Sequence, residues 1–223
     1  MQLSIVMPVL DEAVEIDASL AALAPLRAAG HEVIVIDGGS RDGTVAHCDG
    51  RADWVTLAPQ GRAVQMNAGA AQARGDVLLF LHADTRLPSN ACAAVEQAIE
   101  AGASWGRFDV TISGRSMMFP VIATMMNLRS RRTGIATGDQ AIFVRRQLFE
   151  DIGGYTELPL MEDIDLSRRL GNLAPPACLR QRVTTSGRRW ERHGVWPTIL
   201  LMWSLRWRYW RGEPAEVLAR AYR

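Results

Sequence analysis

Gly75–Pro88, GDVLLFLHADTRLP, is the stretch whose reading decides the fold. Val77 to Leu81 is an apolar run without polar interruption, which suits a strand covered on both faces of a parallel sheet. The run stops at His82-Ala83-Asp84, and Pro88 prevents simple continuation. A carboxylate leaving the C-terminal end of a buried strand sits at the edge where open α/β sheets bind ligands. On an isolated strand, Asp84 reads as a loop residue that starts a turn. It becomes a site candidate because two other strands deliver polar groups to the same edge.

Working outward, Gln2 to Met7 reads as a first strand stopped by Pro8 and followed by Asp11-Glu12. An Ala/Leu-rich helix spans Ala13 to Ala29 and closes at Gly30. His31 to Ile36 is a second strand, and its loop, Asp37 to Gly43, opens a short helix at Thr44. Asp53 to Leu57 makes a third strand, Gly61-Arg62 leads into a helix through Arg74, and Ser89 caps a helix to about Glu100. Strand, loop and helix repeated in this way predict a doubly wound, mostly parallel α/β sheet.

After Gly102 the rhythm changes. Trp105 to Ile112 alternates like a half-exposed strand. Met117 to Leu128 reads as an apolar helix with Pro120 in its first turn, followed by Arg129, Arg131 and Arg132. Gly138-Asp139-Gln140 precede a strand at Ala141 to Val144, and Gly153-Gly154 is a turn. Met161-Glu162-Asp163-Ile164-Asp165 starts a helix to Leu170. A Trp/Arg-rich helix from Val195 to Arg211 and a short one opened by Pro214 end the chain. With no repeat, low-complexity tract or long linker, one domain over residues 1–223 is expected.

Composition sets limits. A hydrophobic fraction of 48% and a charged fraction of 22% are ordinary for a globular protein, and a net charge of +1 gives no case for nucleic acid. All 25 cationic side chains are Arg, and residues 180–223 hold 10 of them against three Glu, so the tail is basic. Cys48, Cys92 and Cys178 are odd in number and form no CxxC, which argues against a disulfide framework or a zinc site. The chain runs straight into a strand with no basic segment and apolar signal core. No window reaches the ~20 apolar residues a span requires. A cytoplasmic location is the expectation.

Three strand ends carry the chemistry: Pro8 to Glu12, Asp37 to Thr44 with its glycines, and Asp84. With these in place, the sequence resembles the family 2 glycosyltransferases of the GT-A fold. The family's P-x-x-N/D-E appears as Pro8-Val9-Leu10-Asp11-Glu12, and its D-D/G-G-S-x-D-G-T loop as Asp37 to Thr44. Gly61-Arg62 through Asn67 to Gly69 matches G-K/R-x-x-x-x-N-x-G, Glu162-Asp163 matches the acceptor-side E-D, and Arg188-Arg189-Trp190 is R-x-x-R-W-like. The stretches GRAVQMNAGA, LFLHADT, WGRFDV and PLMED are similar to a bacterial subgroup named for selenodomain-associated or arsenosugar-biosynthesis glycosyltransferases.

The resemblance implies a metal-dependent, inverting transferase that moves a sugar from a nucleotide-diphospho-sugar to an unidentified small-molecule or lipid acceptor. Residues 1–100 would be the nucleotide-sugar half, 101–190 the acceptor half, and 191–223 the C-terminal Trp/Arg-rich helices. It further implies that Pro8, Glu12, Asp37, Gly38, Arg62, Asn67, Ala83 and Asp84 belong to the donor side. Gly138 and Asp139 would join the site from the second half, and Arg188, Arg189 and Trp190 would offer bidentate anion contacts beside a flat wall. Asp37 would meet the base, Arg62 the base or phosphate, and Asp84 a metal on the diphosphate. The first position of the family's D-x-D is His82 here. Oxygen ligands suit Mg²⁺ or Mn²⁺, and an imidazole tilts the choice toward Mn²⁺; His82 as a simple hydrogen-bonding residue of the loop is the alternative. The acceptor hydroxyl must lose a proton, and Asp163 is the expected base with Glu162 as second choice.

The tail places Trp196, Leu200, Trp203 and Trp207 at 3–4 spacing, and packing onto the sheet or a homodimer contact is expected ahead of an interfacial helix on a membrane. Three other functions stay open: a polyprenyl-phosphate sugar synthase, a non-catalytic nucleotide-sugar binder, and a nucleotidyltransferase. The last lacks an N-terminal G-x-G triphosphate loop.

Overall fold

The computed structural model describes residues 1–222. In chain order, β1 (Leu3–Val9), α1 (Ala13–Ala28), β2 (Glu32–Asp37), α2 (Thr44–Cys48), β3 (Trp54–Leu57), α3 (Arg62–Gln72) and β4 (Val77–Phe80) form the first half. The second half comprises β5 (Thr85–Arg86), α4 (Ala91–Glu100), β6 (Trp105–Ser113), α5 (Phe119–Thr133), β7 (Phe143–Arg145), α6 (Arg146–Asp151), α7 (Glu162–Gly171) and β8 (Ala177–Ser186). Then come α8 (Arg188–His193), α9 (Val195–Trp210) and α10 (Ala215–Tyr222). The strands make one sheet in the order β3-β2-β1-β4-β7-β6-β8-β5.

The first four strands are parallel, and β7 then joins β4 antiparallel. All β1 and β2 side chains are buried because helices cover both faces. Period-2 alternation splits β1 between two cores. Leu3, Ile5 and Met7 pack with Ile16 and Leu20 of α1 and Val95 of α4 on one face. Val6 packs with Met66 of α3, Phe149 of α6 and Leu166 of α7 on the other. Close approach of α3 needs Gly69, where a Cβ would lie 2.4 Å from a methyl of Val6.

Four local expectations are corrected. The α4 helix begins at Ala91 after Asn90, and neither Asn90 nor Ser89 supplies a side-chain cap; the Ala91 N–H instead donates to the Pro88 carbonyl at 3.0 Å. Trp105 to Val110 are all buried and only Thr111 before Ile112 is half-buried, because β6 sits between β7 and β8 with α5 across it. Its Arg107, fully buried, pairs with Asp109, which Arg131 of α5 also reaches at 2.7 Å. Asn127 of α5 completes the cover by accepting from the Val110 N–H at 2.8 Å and donating to its carbonyl at 3.0 Å.

The other two concern helix α5 and the tail. Helix α5 runs on through Arg129, Arg131 and Arg132 to a left-handed Gly134. In α9 the stripe expected to pack is turned outward: Trp196 is 65% exposed, Leu200 64%, Trp203 65% and Trp207 58%. The buried side of α9 is instead carried by Thr198 and Leu205. Strands β5 and β8 were not foreseen.

Candidate active site

The C-terminal ends of β1 and β2 are held together at the sheet edge by Gln65. This buried α3 side chain donates to the Val9 and Ile36 carbonyls at 2.8 Å each and accepts from the Gly61 N–H at 3.3 Å. The Asp37–Thr44 loop is likewise stitched to the turn before α1. Ser40 accepts from the Asp11 N–H at 2.8 Å, Thr44 from the Glu12 N–H at 2.9 Å, and Asp42 from the Ala13 N–H at 2.9 Å. Helix α1 therefore gets its N-terminal caps from a neighbouring segment. Asp37 is spent on that loop: its carboxylate accepts from the Gly39 and Ser40 N–H groups at 2.9 Å each.

Beyond this frame lies a cleft of about 740 Å³, a size suited to a small-molecule or cofactor ligand. Its first wall holds Pro8 to Glu12, Arg62, His82, Ala83 and Asp84. Its second holds Gly138, Asp139 and Met161 to Ile164, and its third Arg188, Arg189, Trp190 and Tyr222. Three expected residues do not line it. Asp37 and Gly38 shape the loop behind it, and Asn67 brackets Tyr155, donating to its carbonyl at 2.9 Å and accepting from its N–H at 2.8 Å. Two lining residues, Asp11 and Met161, hold positive φ (51° and 71°), a strained backbone of the kind that gathers at functional sites.

On the donor side, Arg188 gathers three carboxylates: Glu12 at 3.1 Å, Asp84 at 3.4 Å and Glu15 at 3.6 Å. Burial raises the Glu12 carboxyl above its ordinary pKa, an effect Arg188 only partly offsets. Arg189 is pinned by α10, donating to the Tyr222 carbonyl at 2.9 Å and lying 3.7 Å from its ring centroid. The tail helices thus complete the cleft, a role no sequence signal pointed to for Tyr222.

From the first wall His82 reaches toward the second, to Asp139, Nδ1 to carboxylate oxygen 3.6 Å. Its ring packs close to Gly138, where a Cβ would come within 2.4 Å of ring atoms. Only glycine leaves that space. Enclosure disfavours an ionised Asp139, but His82 and the guanidinium groups of Arg62 and Arg129 outweigh it and lower its pKa. Asp163 accepts from the Gly138 N–H at 2.9 Å and the Ile164 N–H at 2.7 Å. Burial raises the pKa of Asp163, and burial together with the adjacent Asp163 raises that of Glu162. Arg62 stands across the cleft, its charge favoured by the carboxylates of Glu162, Asp139 and Asp163.

Among the described residues, no group of three His, Cys, Asp or Glu side chains is arranged to hold a metal ion. A site made by protein alone is therefore not the fit. What fits is a hard cation bound by one carboxylate and completed by phosphate oxygens of a ligand. The acidic triangle of Glu12, Glu15 and Asp84 already holds one cation, the Arg188 guanidinium. His82 is turned to Asp139.

This sheet order and rim cleft define a GT-A-type nucleotide-sugar transferase fold. Staphylococcus aureus TarS in complex with UDP superposes with a TM-score of 0.67 at 19% identity, covering 83% of this chain and 60% of that one. A mannosyltransferase from Pyrobaculum calidifontis with GDP-Man and Mn²⁺ gives 0.61 at 19% identity, covering 82% and 56%. Glucosyl-3-phosphoglycerate synthase of Mycobacterium tuberculosis with Mn²⁺, UDP and glucosyl-3-phosphoglycerate gives 0.58 at 20% identity, covering 81% and 70%. At these identities the likeness establishes the fold.

The chain belongs to glycosyltransferase family 2: the profile described as "Glycosyl transferase family 2" matches residues 4–153. An uncharacterised glycosyltransferase of Mycobacterium tuberculosis is 31% identical over 162 residues, 67% of this chain and 60% of the relative. The chain thus spans about 60% of the length of the curated relatives it matches.

Proposed function

We propose that the protein is an inverting glycosyltransferase that takes a sugar from a nucleotide-diphospho-sugar in a single displacement, with Asp163 as the base. The observation that carries this is one cleft with Glu12 and Asp84 on one side, gathered with the adjoining Glu15 around the Arg188 guanidinium, and a pair of raised-pKa carboxylates (Glu162, Asp163) on another. A bound Mg²⁺ or Mn²⁺ would offset charge building on the leaving diphosphate. Asp84 would hold it, with the ligand's phosphate oxygens completing its shell.

The remaining roles belong to the chain's own residues. Arg188 and Arg189 present guanidinium groups to the diphosphate, and Trp190 walls the site. Arg62 faces the acceptor carboxylates and keeps the pair partly neutralised. Asp163, positioned by two backbone N–H groups, takes the acceptor hydroxyl's proton; its raised pKa moves it closer to working pH, as a base needs. Every segment from Pro8 to Tyr222 that lines the cleft serves one site, which supports a single functional unit with a donor half (1–100), an acceptor half (101–190) and tail helices closing it. The WGRFDV and PLMED stretches support placement in the selenodomain-associated or arsenosugar subgroup. A polyprenyl-phosphate sugar synthase is the second reading, favoured by the outward Trp row of α9.

A melting-temperature panel of UDP-, GDP-, CDP- and dTDP-sugars, with and without Mn²⁺, tests the donor side. Stabilisation by one nucleotide class that requires metal is expected. No stabilisation by any of them would reject the donor assignment.

A further inference from the structure

Helix α9 has a continuous outward row. Trp196, Leu200, Trp203, Trp207 and Trp210 recur at i, i+4, i+7, i+11 and i+14, and all are more than half exposed. That spacing keeps them on one side of the helix. Helix α5 and the turn before it add Met117, Val121 and Met125, also more than half exposed, with Leu128 next along the row. The two helices share one small apolar cluster, in which Ile122 and Ala123 of α5 are packed with Val195 and Ile199 of α9. The exposed rows therefore flank a common seam. Monomeric proteins rarely leave so large an apolar surface uncovered.

Charge selects the occupant. From Val195 to Trp210 the helix carries Arg206 and Arg208 and no acidic residue, and Arg211 follows with its guanidinium 5.1 Å from the Trp207 ring centroid. Glu213 is taken by Arg208 at 2.7 Å. Arg206 borders the cleft on the other flank, so the guanidinium beside the Trp row is that of Arg211; a two-fold contact with a second copy would press Arg211 onto rows, Trp196 to Trp210 and Met117 to Leu128, that carry no carboxylate to meet it. A negatively charged lipid surface complements it, and Trp rings with flanking Arg are the side chains that settle at headgroup depth. Among the described residues no helix is long and apolar enough to cross a membrane, so contact through this face would be surface contact.

We propose that the α5–α9 face docks the protein on an anionic bilayer. The opposite flanks of the same helices, Met126 of α5 with Met202, Leu205 and Arg206 of α9, line the cleft. Docking therefore brings the cleft within roughly one helix diameter, ~10–12 Å, of the headgroups. The proposal goes beyond the transfer reading and is measured without donor or acceptor, so either can fail alone.

The test is co-sedimentation of the full chain with phosphatidylcholine vesicles, with and without phosphatidylglycerol, alongside Trp emission under an aqueous quencher. Expected are binding only to the phosphatidylglycerol vesicles, weakening with salt, and Trp shielding from quencher. Trp203→Ser/Trp207→Ser should partition about tenfold or more weakly. Arg211→Glu should bind more weakly with an unchanged melting temperature, which separates surface loss from misfolding. Equal sedimentation with and without anionic lipid, no sedimentation, or undiminished binding by the double variant would overturn the proposal. So would a stable dimer by light scattering that the double variant splits while vesicles bind neither protein.

Discussion

Replacing Asp163 with Asn should separate catalysis from donor binding. The carboxylate takes two backbone N–H groups, from Gly138 at 2.9 Å and Ile164 at 2.7 Å. An amide has one carbonyl oxygen, so one of those N–H groups would face an NH₂. Leaving a part-buried donor unpaired costs about 1–2 kcal/mol, a modest loss that a melting curve reads. The catalytic loss is larger. A positioned base contributes typically ~10²–10⁴-fold, equivalent to about 3–5 kcal/mol at the barrier. Glu12 and Asp84 lie on the first wall and Arg188 on the third, apart from Asp163 on the second, so nucleoside-diphosphate affinity should change by no more than about twofold. The assay is nucleoside-diphosphate release in a single turnover, scaled to folded protein, with donor affinity by calorimetry. A folded variant that keeps more than about a tenth of the wild-type rate would refute the base assignment.

Four further outcomes follow from the geometry. Glu162→Gln removes an anion beside Asp163, so the acid limb of the rate profile should move to lower pH; an unmoved limb would mean the pair does not titrate together. The same variant should raise the melting temperature near neutral pH, because a carboxyl raised by burial gives stability that is lost as pH rises through its folded pKa; the gain should vanish at acid pH, below the ordinary Glu range. Gly138→Ala forces a methyl into the His82 ring and should cost about 1–3 kcal/mol in chemical denaturation, with a lower rate. Asp109→Ala strands the fully buried Arg107 and should cost about 3–5 kcal/mol; a loss under about 1 kcal/mol would show that Arg107 finds other partners.

The first half of the sheet was legible because each strand is an apolar run ended by a polar or glycine turn, Val77 to Leu81 most plainly. Strand β8 was not, because Arg180, Gln181 and Arg182 break up its apolar pattern and only Val183 is fully buried. Strand β5 is two residues long and exists only through its pairing with β8. The face of α9 was misread for another reason: apolar side chains occur all round that helix, so the spacing of Trp203 and Trp207 defines a row without saying which row is buried. That Asp84, Asp163 and Arg188 share one cleft was expected from motif position, whereas the ties made by Gln65 and the closure by Tyr222 depend on contacts between distant segments.

The most direct test of the central claim is a crystal of the protein grown with Mn²⁺ and the stabilising nucleoside diphosphate, recorded at the manganese absorption edge. An anomalous peak at coordination distance from Asp84 and the diphosphate oxygens, with Asp163 facing the open side of the same cleft, is the predicted result. Nucleotide bound elsewhere on the molecule, or manganese with no contact to Asp84, would contradict the account.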